Sequence, residues 1–378
     1  MVSKFTKYLI FSVFIISCLL TLAPTSQAAT SYAYTTLDVP NAINGRTYAN
    51  GINDAGQVTG FFQDANGVHG FLYNGGNFTK IDNPSAIAGR TYAFGINNVG
   101  QVTGYFLNAT GVHGYLYNLY SGIFATLDVP SAFVGRTYAS GINSSGQVTG
   151  FFEDPLGNFH SFVYNGSYTT LDVPSLTGFG TMSFGINDSG QVTGNFQDVL
   201  GNTHGFVYSG GNYTTLDVPG AFVGRTSARG INAGGQVTGF FEDALGDHGF
   251  VYNSGVYTTL EVPNAIVGRT WAYGINASGQ VTGKFEDANG WHGFIATPSN
   301  LSATECLFNW AERNYPTLFS PSGFTTKVWT IYTYRYYSAT NSYLGVSSTD
   351  NHVYYIGADG QMQDKGPTSY WLPLAGCQ

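Results

Sequence analysis

Charge is scarce in this chain. Only 10% of its 378 residues are Asp, Glu, Lys or Arg, against about a quarter in ordinary globular proteins. Basic residues are the scarcer kind, 14 against 22 acidic ones, for a net charge of -8. That balance excludes the basic footprint that nucleic acid or an anionic lipid surface requires. Cysteine occurs only three times. Beyond the N-terminus no apolar run is long enough to span a bilayer. Also absent are a nucleophile elbow, a phosphate-binding loop and a metal triad. Glycine (51), tyrosine (27) and phenylalanine (28) fill the space left by charge. Such a mix suits turn-rich β structure whose surface relies on Asn, Ser, Thr and Gly.

The exception among apolar runs is the start. Lys4 and Lys7 precede an apolar stretch from Tyr8 to Leu22, and Ser26-Gln27-Ala28 places small residues where a signal peptidase cuts. The reading is a signal peptide over 1–28 and an exported chain, secreted, periplasmic or at the cell surface. A lipidated Cys18 is the rival, disfavoured because the apolar run continues past it. Losing Lys4 and Lys7 leaves 12 basic against 22 acidic residues, a net charge of -10. Two cysteines then remain, Cys306 and Cys377, which in an exported protein read as a disulfide. The bridge would close a loop of about 70 residues and stabilise by roughly 4 kcal/mol.

What the chain does have is repetition. Gly-Ile-Asn recurs at Gly51, Gly95, Gly141, Gly185, Gly230 and Gly274, a spacing of 44 to 46 residues. In the first copy, 47–53, 57–62, 68–73 and 78–84 read as short strands. Asn53-Asp54-Ala55-Gly56, Asp64-Ala65-Asn66-Gly67 and Asn74-Gly75-Gly76-Asn77 turn the chain between them. Six four-stranded meanders of about 45 residues point to a β-propeller. The copies are out of phase with the chain. The fourth-strand phrase appears first, at Tyr34–Pro40, and is missing after the sixth copy. If Tyr34–Pro40 pairs beside His292–Ala296, the fold is all-β: a six-bladed propeller closed by its N-terminal strand, over 29–298. Gly51 and Gly60, with their equivalents, are expected where strands crowd the axis. Pro40, Pro84, Pro130, Pro174, Pro219 and Pro263 are expected to end the outer strands.

The phrase Gly-Ile-Asn-x-x-Gly-Gln-Val-Thr-Gly, followed by His-Gly-Phe, resembles the HAF repeat of bacterial extracellular proteins. The likeness covers residues 32–297 in six copies. Gly70, Gly114, Gly205, Gly249 and Gly293 replace the family's alanine, and Ser161 does so in the third copy. It implies an exported protein and no general activity. Residues 299–378 read as a small α+β domain. Ser302–Glu305 is a capping box for a helix through Trp310 and Arg313. Strands are expected at 328–337, 343–347 and 352–356. This part is similar to a C-terminal module recurring on secreted proteobacterial proteins.

Three constellations are candidate sites. His69, His113, His160, His204, His248 and His292 begin the third strands. One per blade is too dispersed for a metal, and a hydrogen bond to backbone within each blade is the expectation. Arg46, Arg90, Arg136, Arg225 and Arg269 precede the first strands. Acids stand in the second-to-third turns: Asp64, Glu153, Asp154, Asp198, Glu242, Asp243, Glu286 and Asp287. Both loop sets share one face, so they form either a charged ligand rim or staples between blades. The Asp64 and Asp287 turns supply too few oxygens for calcium. Trp271 and Trp291 could stack on sugar or pack between blades. The second copy, with Leu107-Asn108 for the acids, and the fourth, with Phe179-Gly180 for Gly-Arg, are where a unique site is sought. The expectation is a monomeric, non-catalytic interaction protein without cofactor. Its loop face would bind a polysaccharide or a cell-surface protein. The alternatives are a hydrolase or lyase using Asp198, or a structural spacer.

Overall fold

A computed structural model describes residues 31–299, except 88, 134 and 175–179. Further on it describes 307, 308, 311, 324–329, 332–338, 340–347, 349–359 and 361–374. The expected leader, the Ser302–Glu305 capping box, Trp310, Arg313, Phe179, and both Cys306 and Cys377 lie outside the described residues. The chain divides into two compact units, Thr30–Asn300 and one containing Leu301–Gln378.

Thr30–Asn300 is all-β, built of repeated four-stranded antiparallel sheets in an arrangement that fits a β-propeller. The first copy supplies Thr47–Ile52, Val58–Asp64, Gly67–Asn74 and Asn77–Ile81, hydrogen-bonded in chain order. Four later copies repeat this. The last sheet takes three strands from the sixth copy and its fourth from Ser31–Leu37. The expected contact is present, with Tyr34 opposite Ala296 and Leu37 opposite Gly293.

Each sheet is held by the same buried residues. The aromatic ring two residues after the histidine is fully buried in every copy, as Phe71, Tyr115, Phe162, Phe206, Phe250 and Phe294. Val58, Val102, Val148, Val192, Val237 and Val281 are equally buried. Each such side chain contributes about 1.5–3 kcal/mol through burial. Neighbouring sheets are tied by buried asparagines. Asn53 Nδ2 donates to Asn97 O, Asn97 to Asn143 O, Asn143 to Asn187 O, Asn187 to Asn232 O, and Asn232 to Asn276 O. Asn276 Nδ2 then donates to Asn53 O at 3.1 Å, so the bonds form a closed cycle.

The Gly-Ile-Asn glycines are required by the same approach. A Cβ on Gly51 would lie 2.3 Å from Phe94 O, and one on Gly274 2.5 Å from Asn50 O. The second expected axial glycine has another role. A Cβ on Gly60 would strike Tyr48 O and the Phe71 ring of its own sheet, so it makes room for a core aromatic. The prolines also differ from expectation. They follow the outer strands, as in the turn closed by Ala42 N donating to Val39 O. Asn41, after Pro40, has φ 69° there, the geometry of a type II turn with proline at its second position.

In the second unit one antiparallel sheet runs Phe324–Trp329, Tyr332–Tyr337, Ser342–Ser347, His352–Ile356 and Met362–Pro367, followed by the helix Thr368–Leu374. The single strand expected over 328–337 is instead parts of two strands, because Trp329 pairs with Tyr332. An aromatic run gives no punctuation there. Leu307, Phe308, Tyr337, Leu344 and Val353 form this unit's core. No helix among the described residues is long and apolar enough to cross a membrane.

Candidate site at the propeller axis

The charged rim expected from sequence is largely consumed by internal pairing. Arg136 Nη1 lies 2.6 Å from Glu153. Arg225 pairs with Glu242 and Arg269 with Glu286, each at 3.6 Å. Arg46 donates to Gln63 Oε1 at 2.6 Å. Both partners belong to one sheet, since Gln63 N donates to Arg46 O and Glu153 N to Arg136 O. These are clasps within a blade, correcting the expectation of staples between blades. In the second copy Leu107 takes the place opposite Arg90, as Leu107 N donating to Arg90 O shows.

Asp64, Asp154, Asp198, Asp243 and Asp287 have a different partner, the histidine of the next strand. His69 sits between Asp64 (3.2 Å) and Asp82 (2.9 Å), with one ring nitrogen on each. His160 bridges Asp154 and Asp172, His204 bridges Asp198 and Asp217, and His248 bridges Asp243 and Glu261. His292 bridges Asp287 and, at 2.8 Å, Asp38 beside the N-terminal strand. His113 faces Asp128, with Asn108 and Thr110 on its other side. The expected backbone partner is therefore replaced by carboxylates, because the fourth strand returns an acid to the histidine. The same aspartates also accept turn N–H groups, as Asp64 does from Asn66 at 2.7 Å. Hydrogen bonds led by those from Asn158 hold Asp154 at about 2, and those led by Asn202 hold Asp198 at about 2. Among the described residues no group of three or more His, Cys, Asp or Glu could hold a metal ion.

The distinctive site lies on the axis. A cavity of about 270 Å³ is lined by the residue before each Gly-Ile-Asn. These are Asn50, Phe94, Ser140, Phe184, Arg229 and Tyr273, a different side chain in nearly every copy. They share one backbone feature. The pairing of first and second strands slips at this position in all six sheets, between Ala49 and Gly51 and between Ala228 and Gly230 for example. A β-bulge locally disrupts the ladder, and the residue at each slip lines the cavity.

Two cations reach this cavity, Arg229 and Lys284. Aromatic faces hold both. Arg229 Cζ stands 3.8 Å from the Phe184 centroid and 5.1 Å from that of Phe240. Lys284 Nζ lies 4.3 Å from Trp291, 4.6 Å from Trp271 and 5.1 Å from Tyr48. Among the described residues neither cation forms an ion pair. Arg229 Nε is shut from solvent without a hydrogen-bond partner. Burial pulls the Arg229 guanidinium down to about 10. Burial first, then the charge of Arg229, pulls Lys284 down to about 8, opposed by Asp247 and Glu286. Both remain cationic at neutral pH.

Sequence reasoning missed this site. The signal was available: one position varies beside an invariant Gly-Ile-Asn. The fourth copy, singled out for its missing arginine, does carry a consequence. Buried Gln197 Oε1, which stands where Gln63 meets Arg46, has no partner among the described residues. Trp271 and Trp291 pack on each other at 5.2 Å and enclose Lys284.

No family model matches the chain, and no curated protein matches it. Among solved structures, it is similar to a mutant lectin of Aleuria aurantia in complex with Fucalpha1-6GlcNAc. That likeness has 13% identity and a TM-score of 0.45, and covers 71% of this chain and 99% of that one. TolB from Acinetobacter baumannii is similar at 11% identity and a TM-score of 0.44, covering 65% of this chain and 64% of that one. Streptogramin B lyase follows at 14% identity and a TM-score of 0.39, covering 71% and 97%. Likenesses this low bear on neither ligand nor activity.

Proposed function

We propose that this chain is an exported, monomeric, six-bladed β-propeller closed by its N-terminal strand. It acts as a non-catalytic binding protein that takes a segment of polysaccharide at its axial mouth. One observation carries the reading. The repeats coincide where they build the ring and differ where they face the cavity, so the cavity is singular. Its walls suit a sugar. Phe94 and Tyr273 line it with aromatic side chains, and Asn50 and Ser140 add short polar groups. At about 270 Å³ it lies near the lower end of small-molecule sites, about 300–1,000 Å³. That volume suits one or two rings at the end or bend of a chain.

The loop rim is a poorer candidate, since its aspartates and all its arginines but Arg90 are already engaged. Hydrolysis at Asp198 is disfavoured by the same bookkeeping. A carboxyl held at about 2 is a poor proton donor at neutral pH. The HAF-repeat likeness agrees with export. The test is an oligosaccharide panel, neutral and acidic, titrated into the full-length protein by calorimetry. Binding lost in Phe94→Ala and kept in Arg136→Gln supports the axial mouth. No binding to any member sinks the reading.

A further inference from the structure

We infer that the axial cavity selects a carboxylate-bearing sugar, with Arg229 as the group that pairs its carboxylate and Lys284 as a second positive charge beside it. This rests on the reading of the mouth as a saccharide site and names the class it takes. Arg229 is half-buried, with its Nε shut from solvent. A guanidinium withdrawn from water is costly unless a carboxylate or a set of acceptors compensates it. On the rim of this unit the more exposed Arg136, Arg225 and Arg269 each have a glutamate, and Arg46 has Gln63. Arg229, in the cavity wall, has aromatic faces and no acid.

Cation–π contact leaves the donor edge of a guanidinium unfilled, because the ring covers the face of the plane and the five N–H groups point around its rim. The Nε on that edge is shut from solvent, so a ligand meets the two terminal nitrogens. Lys284 repeats the pattern, enclosed by Trp271, Trp291 and Tyr48. Besides burial, the charge of Arg229 disfavours that of Lys284, and Asp247 and Glu286 offset this without forming an ion pair. A bound carboxylate would remove both costs, the repulsion and the unfilled donors. A carboxylate accepts two parallel bonds from a guanidinium, and Phe94 and Tyr273 line the same cavity to meet its sugar ring. The site is therefore complementary to a uronic acid rather than to a neutral sugar.

The probe is trigalacturonic acid, compared with its methyl ester and with a neutral trisaccharide, each titrated into the full-length protein at pH 6.0. The acid is expected to bind at least tenfold more tightly than the ester, with affinity falling as salt rises. Arg229→Gln is expected to abolish the preference, bringing acid and ester to equal affinity, and Lys284→Gln to reduce it. Arg136→Gln on the rim keeps it. Circular dichroism and a thermal melt on each variant separate lost binding from lost folding. Equal binding of acid and ester by the unaltered protein overturns the inference while leaving the saccharide reading in place. An acid preference that survives Arg229→Gln in a folded variant also overturns it. Binding of no trisaccharide at all overturns both.

Discussion

The ring of buried asparagines and the bulge just before it lie three residues apart in every copy, and they follow opposite rules. Asn53 and its five equivalents are the same residue making the same bond to the next copy. Asn50 and its equivalents share a backbone position and little else. The first set is uniform because every copy makes the same bond to the next, the last returning to the first. The second set lines the cavity, where nothing demands uniformity. Repetition in this protein builds the frame, and departure from repetition builds the site. A search for function in the most regular feature, the rim of arginines and acids, finds clasps instead.

That contrast can be broken by experiment, beginning with the frame. Gly274→Val puts a Cβ 2.5 Å from Asn50 O, in backbone that cannot yield locally. A loss of about 3 kcal/mol or more is expected, read as a lowered urea midpoint; an unchanged midpoint would mean the sheets do not crowd there. Asn276→Ala deletes the donations to Asn53 O and Gln280 Oε1 and the acceptance from Gln280 N. About 2 kcal/mol should be lost, with saccharide affinity changed less than twofold if frame and site are separate.

Arg229→Gln should do the reverse. By removing a buried charge that lacks a counterion it raises the melting temperature of the ligand-free protein, equivalent to about 1 kcal/mol. A fall would show that Arg229 is part of the frame. Acidity offers a further test through the histidine clasps. Burial opposes charge on His160, His248 and His292, but their carboxylate partners outweigh it and raise all three. Their stabilisation is complete below the unfolded value of about 6.5 and fades as pH climbs through the raised folded values. Asp154 and Asp198, held at about 2, stabilise above the unfolded value of about 3.9 and lose this as pH falls toward 2. The melting temperature should therefore form a plateau between about pH 4 and 6.5 and decline on both sides. A profile rising steadily to pH 8 would contradict the charged clasps. Smallest of all, Arg136→Gln should cost under about 0.5 kcal/mol, as half-exposed ion pairs usually do.

Much of the frame was legible in the sequence because it is written several times over. Turn residues at Asn53–Gly56 and Asp64–Gly67 mark the hairpins, and the displaced phrase Tyr34–Pro40 shows which strand completes the last sheet. The pairing partners were not legible. His69 was expected to meet backbone and meets Asp82, thirteen residues on, because a fourth strand must fold back before the two approach. In the second unit, Phe324–Trp329 and Tyr332–Tyr337 merge in a run of aromatics without glycine, and only their register separates them.

By itself the sequence determined the repeated sheet and the pairing of the first strand with the last copy. Those rest on local turn chemistry that repetition makes unmistakable. Alternation along Thr226–Ile231 puts Arg229 on the face of Ser227, beside Phe240. Only the tertiary structure decided that it shares one cavity with Asn50, Phe94, Ser140, Phe184 and Tyr273, because that requires sheets distant in sequence to meet, as Gly230 does at Tyr273 O.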